Sequence, residues 1–177
     1  MQYNIHPIVV HFPIALLFLY SLIKIVPLYL WFQSVAWKQI ERFLLFFGFA
    51  GALIARFTGE IAVRLVHPDE AVAGMHSSFA SFTVFFYGLL LLGELISFFN
   101  RKNISIENPK INNRFLVNSL VGFEKFFCNK YISLSLALLG LISIFITGLL
   151  GGVMVYGISA DPLAPFVLKI LGLSVSY

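Results

Sequence analysis

Four long apolar runs, sparse in charge, dominate the chain, separated by short polar or proline-bearing breaks. Each run reaches the ~20 apolar residues that an α-helix needs to cross a ~30 Å hydrocarbon core. The first predicted span covers residues 7–32, with Pro7 in the opening turn, where its missing N–H is no loss, and Pro13 placed to bend it. A second span, 40–66, stops at His67-Pro68, because the residue before a proline is pushed out of the helical region. The third, 72–99, meets the polar cluster Asn100, Arg101, Lys102 and Asn103. Residues 100–113, with Pro109, read as a loop, whereas 114–130 mixes Phe115, Leu116, Leu120, Phe123, Phe126 and Phe127 with basic residues and suits the membrane surface. The fourth span, 131–156, ends at Gly157, and the apolar tail 163–177 is too short to cross. The expected fold is an all-α membrane protein, a four-transmembrane-helix bundle forming one domain over 1–177, with no internal repeat apparent.

Composition agrees with this pattern. Of 177 residues, 59% are hydrophobic and 11% charged, against about 25% charged in soluble domains. The formal net charge of +4 is too modest, and the chain too apolar, to suggest nucleic acid. Basic residues are unevenly placed: Lys38, Arg42, Arg101, Lys102, Lys110, Arg114, Lys125 and Lys130 fall in or beside the two loops on one side, and only Arg64 and Lys169 near the other. By the positive-inside rule the first side is cytoplasmic, so both termini and the loop 68–74 face outward, to the periplasm of a bacterial inner membrane. Lys24, late in the first span, can snorkel inward. The N-terminal run carries no basic n-region or small-residue cleavage site and reads as a retained helix.

This topology gathers all four histidines at the outer end. His6 and His67 sit beside prolines at helix ends, while His11 and His76 lie roughly one turn further in, ~5–7 Å at helical rise. Two imidazoles at equal depth on different helices are what bis-histidine haem ligation needs. His11 and His76 are therefore the expected inner axial pair, with His6 and His67 as a second pair or as polar residues at the membrane edge. One or two haems b are the expected cofactors. The four histidines with Glu60, Asp69 or Glu70 nearby could instead hold a non-haem metal. On the second span Arg56, Glu60, Arg64 and His67 recur at spacings of four, four and three, on one helical face. Exposure of such a stripe to lipid is costly, so it is expected to face the bundle interior, with Glu60 pairing either arginine and an arginine holding propionates.

Gly148 and Gly152 form a small-xxx-small surface, meaning close helix packing or room for a flat macrocycle. Cys128, the single cysteine, permits no disulfide or CxxCH haem attachment and reads as a buried small apolar residue. Glu94 is the one carboxylate within a span on the inner side, with a headgroup-level lysine as its expected partner. No nucleophile, base and orienting group occur at a recognisable spacing, so the chain is not expected to be an enzyme by itself.

At His6-Pro7-Ile8-Val9-Val10-His11-Phe12-Pro13-Ile14-Ala15-Leu16 the chain resembles a family of predicted bacterial membrane proteins, a domain of unknown function, that begins HPxxVHFPIAL. The likeness extends more loosely to Thr58-Gly59, His76 and residues 148–156, covering most of the chain except 100–130. It implies a four-helix membrane domain, similar in architecture to di-haem cytochrome b bundles. The cytoplasmic half, however, has no histidine, which argues against a haem wire across the whole membrane. The expected function is a membrane-anchored haem b electron-transfer subunit, exchanging electrons at the outer face with a quinone, a c-type cytochrome or a respiratory or photosynthetic complex. The alternatives are a non-redox structural or assembly subunit whose histidines, Arg56 and Glu60 form a polar network, and a small transporter, which would need a polar path to the inner side.

Overall fold

The computed structural model describes residues 4–103 and 114–173. The tip of the 100–113 loop, the extreme N-terminus and the end of the apolar tail lie outside the described residues. Six helices follow in order: α1 His6–Ile25, α2 Trp37–Val66, α3 Glu70–Asn103, α4 Arg114–Phe127, α5 Lys130–Tyr156 and α6 Ala164–Ile170. Among them α1, α2, α3 and α5 are long and apolar enough to cross a membrane. Their outward surface is what a bilayer requires: Phe57 is 67% exposed and Phe145 is 55% exposed, and such apolar area is stable only where the solvent is itself apolar.

Local chemistry sets the boundaries. The first span is shorter than expected, because Pro27 forces Val26 into an extended conformation and closes α1 at Ile25, after which 28–30 forms a short 3₁₀ turn. The helix continues through Pro13, which is buried. At the other end of the second span His67 takes a left-handed backbone (φ 47°) that stops α2. The Asp69 carboxylate accepts hydrogen bonds from Ala71 N and Val72 N at 3.0 and 3.1 Å and starts α3 earlier than expected. That helix then runs past Asn100 to Asn103, since asparagine, arginine and lysine tolerate helical geometry where it leaves the bilayer. Asn129 caps α5 through Tyr131 N at 2.9 Å.

The bundle is built from two antiparallel pairs, α1 with α2 and α3 with α5, joined side to side through α1–α5 and α2–α3. With no hydrophobic force between helices in lipid, close contact depends on small residues. A Cβ at Gly48 would lie 2.6 Å from Leu17 Cδ2, and one at Gly140 would lie 2.8 Å from Tyr87 Cε2. Less than one turn from Lys24, Tyr87 Oη and Ser21 Oγ lie 2.6 Å apart, and Tyr20 meets Tyr87 edge to face at 6.1 Å, so one buried polar knot ties the two pairs. The described part of the apolar tail folds back on the bundle. It returns as α6, burying Ala164 and Leu168 against Val72, Leu150 and Val153.

The pairs repeat each other, contrary to the sequence expectation of no internal repeat. Gly51-x6-Thr58-Gly59 on α2 recurs as Gly140-x6-Thr147-Gly148 on α5, and the burial of Leu44, Gly48, Gly51 and Ala55 is matched by Ser133, Ala137, Gly140 and Ile144. On the partner helices the buried Pro13, Leu17 and Tyr20 correspond to Thr83, Tyr87 and Leu90. The side chains differ while the spacing and the buried face persist, which is why composition along the chain conceals the relation.

Candidate functional site

Two polar layers bound the apolar middle. At one end Lys24 pairs with Glu41 (2.8 Å), while Glu94 receives both Lys38 and Arg42 Nε, the latter at 3.0 Å. Glu94 is thus satisfied by a lysine, as expected, and by an arginine as well. At the other end His6 Nδ1 lies 3.0 Å from Thr58 Oγ1, and His76 Nδ1 lies 2.9 Å from the Thr147 carbonyl. Eighteen residues separate His6 from Lys24 and likewise His76 from Glu94, about 27 Å at 1.5 Å per residue. That interval matches a hydrocarbon core of ~30 Å, so the layers stand at its two boundaries.

Tautomers follow from the hydrogen bonds. The Thr147 carbonyl can only accept, so His76 Nδ1 carries a proton. The Thr58 hydroxyl donates to the Ala55 carbonyl at 3.0 Å, so it accepts from His6, whose Nδ1 is also protonated. Each neutral imidazole then presents an Nε2 lone pair, and neither Nε2 makes a hydrogen bond among the described residues. Neither is sealed from solvent: Arg42 Nη2 is the one buried side-chain nitrogen or oxygen without a partner in that set. Both rings rest on helix backbone. A Cβ at Gly59 would lie 3.1 Å from His6 Cε1, and one at Gly151 would lie 3.4 Å from His76 Cε1. The two imidazoles are near enough to interact electrostatically. They are equivalent members of the two helix pairs, one on α1 and one on α3.

The other expected site residues are placed differently. His11 is exposed on the outer surface of α1, with Nδ1 turned back to the Pro7 carbonyl, five residues deeper than His6 and away from His76. His67 is exposed beyond the helix end, nine residues past Thr58. Neither the pair His11 with His76 nor the pair His6 with His67 is brought together. The Arg56, Glu60 and Arg64 stripe also departs from expectation, because all three are exposed rather than turned into the bundle. The buried face of α2 is Ala55, Thr58 and Ala62, and a residue two positions from Thr58 is rotated about 200° away. Arg56 reaches across the surface groove to Ser81 Oγ on α3 at 2.6 Å. Among the described residues Glu60 forms no ion pair with either arginine, and no group of three or more His, Cys, Asp or Glu could hold a metal ion. The lipid-avoidance argument fails for Glu60 and Arg64 because they lie beyond the histidine layer, past the hydrocarbon edge, whereas Arg56, two residues inside it, is met by Ser81 on the neighbouring helix.

Gly148 and Gly152 are not packing contacts among the described residues, as a Cβ at either meets nothing within 4 Å there. Cys128 is exposed rather than buried, its Sγ 3.7 Å from the Gly93 carbonyl, and partial burial together with Glu94 raises its thiol pKa. Thr58, Thr147, Gly59 and Gly151 complete the histidine layer and were not singled out as site residues from the sequence. The detectable signal was the repeated Gly-x6-Thr-Gly and the equal spacing from each histidine to a charged residue.

Four spanning helices with an apolar exterior and a polar layer at each boundary define an integral membrane protein. The chain belongs to the family described as predicted membrane protein (DUF2231), which matches residues 2–161. No curated protein and no solved structure matches it.

Proposed function

We propose that this protein is a membrane-anchored haem b electron carrier with one bis-histidine site, formed by His6 and His76 at the outer boundary of a bacterial inner membrane. The carrying observation is that two imidazoles from opposite corners of the bundle share one level, each with Nδ1 held by a protein oxygen and with Nε2 free of hydrogen bonds among the described residues. The donor set suits haem, since the macrocycle supplies four equatorial nitrogens and asks the protein for two axial ones. When bound, haem supplies one-electron redox chemistry. The chain's own residues orient and tune: Thr58 and the Thr147 carbonyl fix the tautomers and raise the basicity of Nε2. Gly59 and Gly151 leave the rings flush against backbone, and Arg56, in the groove between α2 and α3, is the cation placed to hold a propionate. The bias of basic residues toward the Lys24–Glu94 end favours an outward-facing histidine layer, where a quinol or a c-type cytochrome exchanges electrons.

A structural reading draws on the same hydrogen bonds, because each histidine joins the two helices of its pair. An absorption spectrum with iron analysis on protein purified from a haem-replete host decides between them. A Soret band lost in both His6→Ala and His76→Ala and kept in His11→Ala supports the haem reading. No Soret band, or a full one in His76→Ala, overturns it in favour of the structural reading.

A further inference from the structure

Between α1 and α5 lies a cleft of about 230 Å³ that nothing in the histidine site uses. Its walls include Ile14 and Phe18 from α1, Leu141, Phe145 and Gly148 from α5, and Asp161 from the turn beyond α5. The cleft opens toward lipid, as Phe18 and Phe145 on its two walls are both exposed. It exists because Gly148 has no side chain: a Cβ there meets nothing within 4 Å. The volume is below the ~300–1,000 Å³ of drug-sized sites and suits a single substituted ring, not a macrocycle. Two phenylalanines, one from each wall, line it, and aromatic side chains pack favourably with a flat ring.

The polar group is specific. Asp161 Oδ1 accepts from Leu163 N at 2.8 Å, and Oδ2 has no hydrogen bond among the described residues. Asp161 is the one ionisable residue lining this apolar, lipid-facing cleft, and a carboxylate there calls for a donor on an otherwise apolar ligand. An acyl chain offers none, and a phosphate is repelled. Gly148 follows Thr147, whose carbonyl holds His76, so one wall of the cleft reaches the level of the histidine layer on α5. We infer that this cleft binds the ring of a membrane-soluble hydroquinone, with a ring hydroxyl donating to Asp161 and the isoprenoid tail leaving between Phe18 and Phe145 into the bilayer. Use of that quinol as an electron source rests on the haem reading; the binding itself does not.

The reduced ring is preferred, because a hydroquinone has hydroxyl donors and a quinone has only acceptors. The test is photolabelling of the full chain in lipid nanodiscs with an azido-substituted benzoquinone, oxidised or reduced, followed by peptide mass mapping. Label is expected around residues 14–18 and 141–149, favouring the reduced probe by roughly tenfold, the worth of one hydrogen bond to a charged acceptor. Gly148→Leu fills the cleft and should remove the label, while Asp161→Asn should keep the label and erase the redox preference, since an amide can donate as well as accept. If Gly148→Leu does not fold, Asp161→Asn still decides. Label spread evenly over lipid-facing positions such as Phe57 and Phe85, or no dependence on Asp161, overturns the inference in favour of an acyl chain in the cleft. Labelling without a Soret band would remove the haem reading alone, and a Soret band without specific labelling would remove this one.

Discussion

Gly140→Ala is the smallest change that tests the packing on which the histidine layer depends. The new methyl carbon would lie 2.8 Å from Tyr87 Cε2 and 2.9 Å from Cζ, and Tyr87 is fully buried, with its hydroxyl bound to Ser21. A rigid ring cannot yield like the end of a flexible side chain, so either α5 moves from α3 or the tyrosine leaves Ser21. Overpacking of this kind costs about 1–3 kcal/mol, and a lost buried hydrogen bond about 1 kcal/mol. Better helix propensity returns up to about 1 kcal/mol. The net expectation is a loss of about 1–3 kcal/mol, and at roughly 2–4 °C per kcal/mol for a chain of this size the detergent-solubilised protein should melt several degrees lower. Gly152→Ala is the matched control: the same methyl group meets no neighbour within 4 Å, so propensity alone acts and stability should hold or rise slightly. Both variants are compared by SDS titration and thermal melting. Equal stability of Gly140→Ala and the parent chain, or an equal loss in Gly152→Ala, would refute the assignment of Gly140 as the contact that seats Tyr87.

Three further outcomes are expected. Asp69→Ala removes the acceptor for Ala71 N and Val72 N and should cost about 0.5–2 kcal/mol, with hydrogen exchange rising first in the opening turn of α3; unchanged exchange there would contradict the cap. A cysteine placed at Glu60 or Arg64 in a Cys128→Ser background should react with a membrane-impermeant maleimide applied from the histidine side, and one at Thr58 should not. Equal labelling would return the stripe to the interior. Cys128 alkylation should follow the thiolate, whose formation is held back by partial burial and by Glu94, so its rate profile lies at higher pH in the folded protein than in the unfolded chain. At any pH below that raised pKa the folded form reacts more slowly, and coincident profiles would remove Glu94 as a neighbour of the thiol.

Legibility in the sequence was uneven, for identifiable reasons. Spans, their ends and the membrane class follow from length of apolar run and from short-range chemistry, as at Pro27, His67 and Asp69. The gathering of histidines at one end follows from span parity alone. Which histidines meet does not. His11 lies in the same helix as His6, yet it is five residues on, about 500° of helical turn, and therefore points elsewhere. The polar stripe of α2 was legible as a stripe, but its direction depended on where the hydrocarbon edge fell along a 30-residue helix.

By itself the sequence determined that this chain spans a membrane four times and that its imidazoles lie at one boundary, because burial of backbone polar groups in lipid leaves few alternatives to a spanning helix. Only the tertiary structure decided that the layer consists of His6 and His76 with Thr58 and Thr147. That choice rests on the rotation and axial register of α1 against α2 and of α3 against α5. Those are set by contacts such as Gly48 with Leu17 and Gly140 with Tyr87, which join residues far apart in the chain.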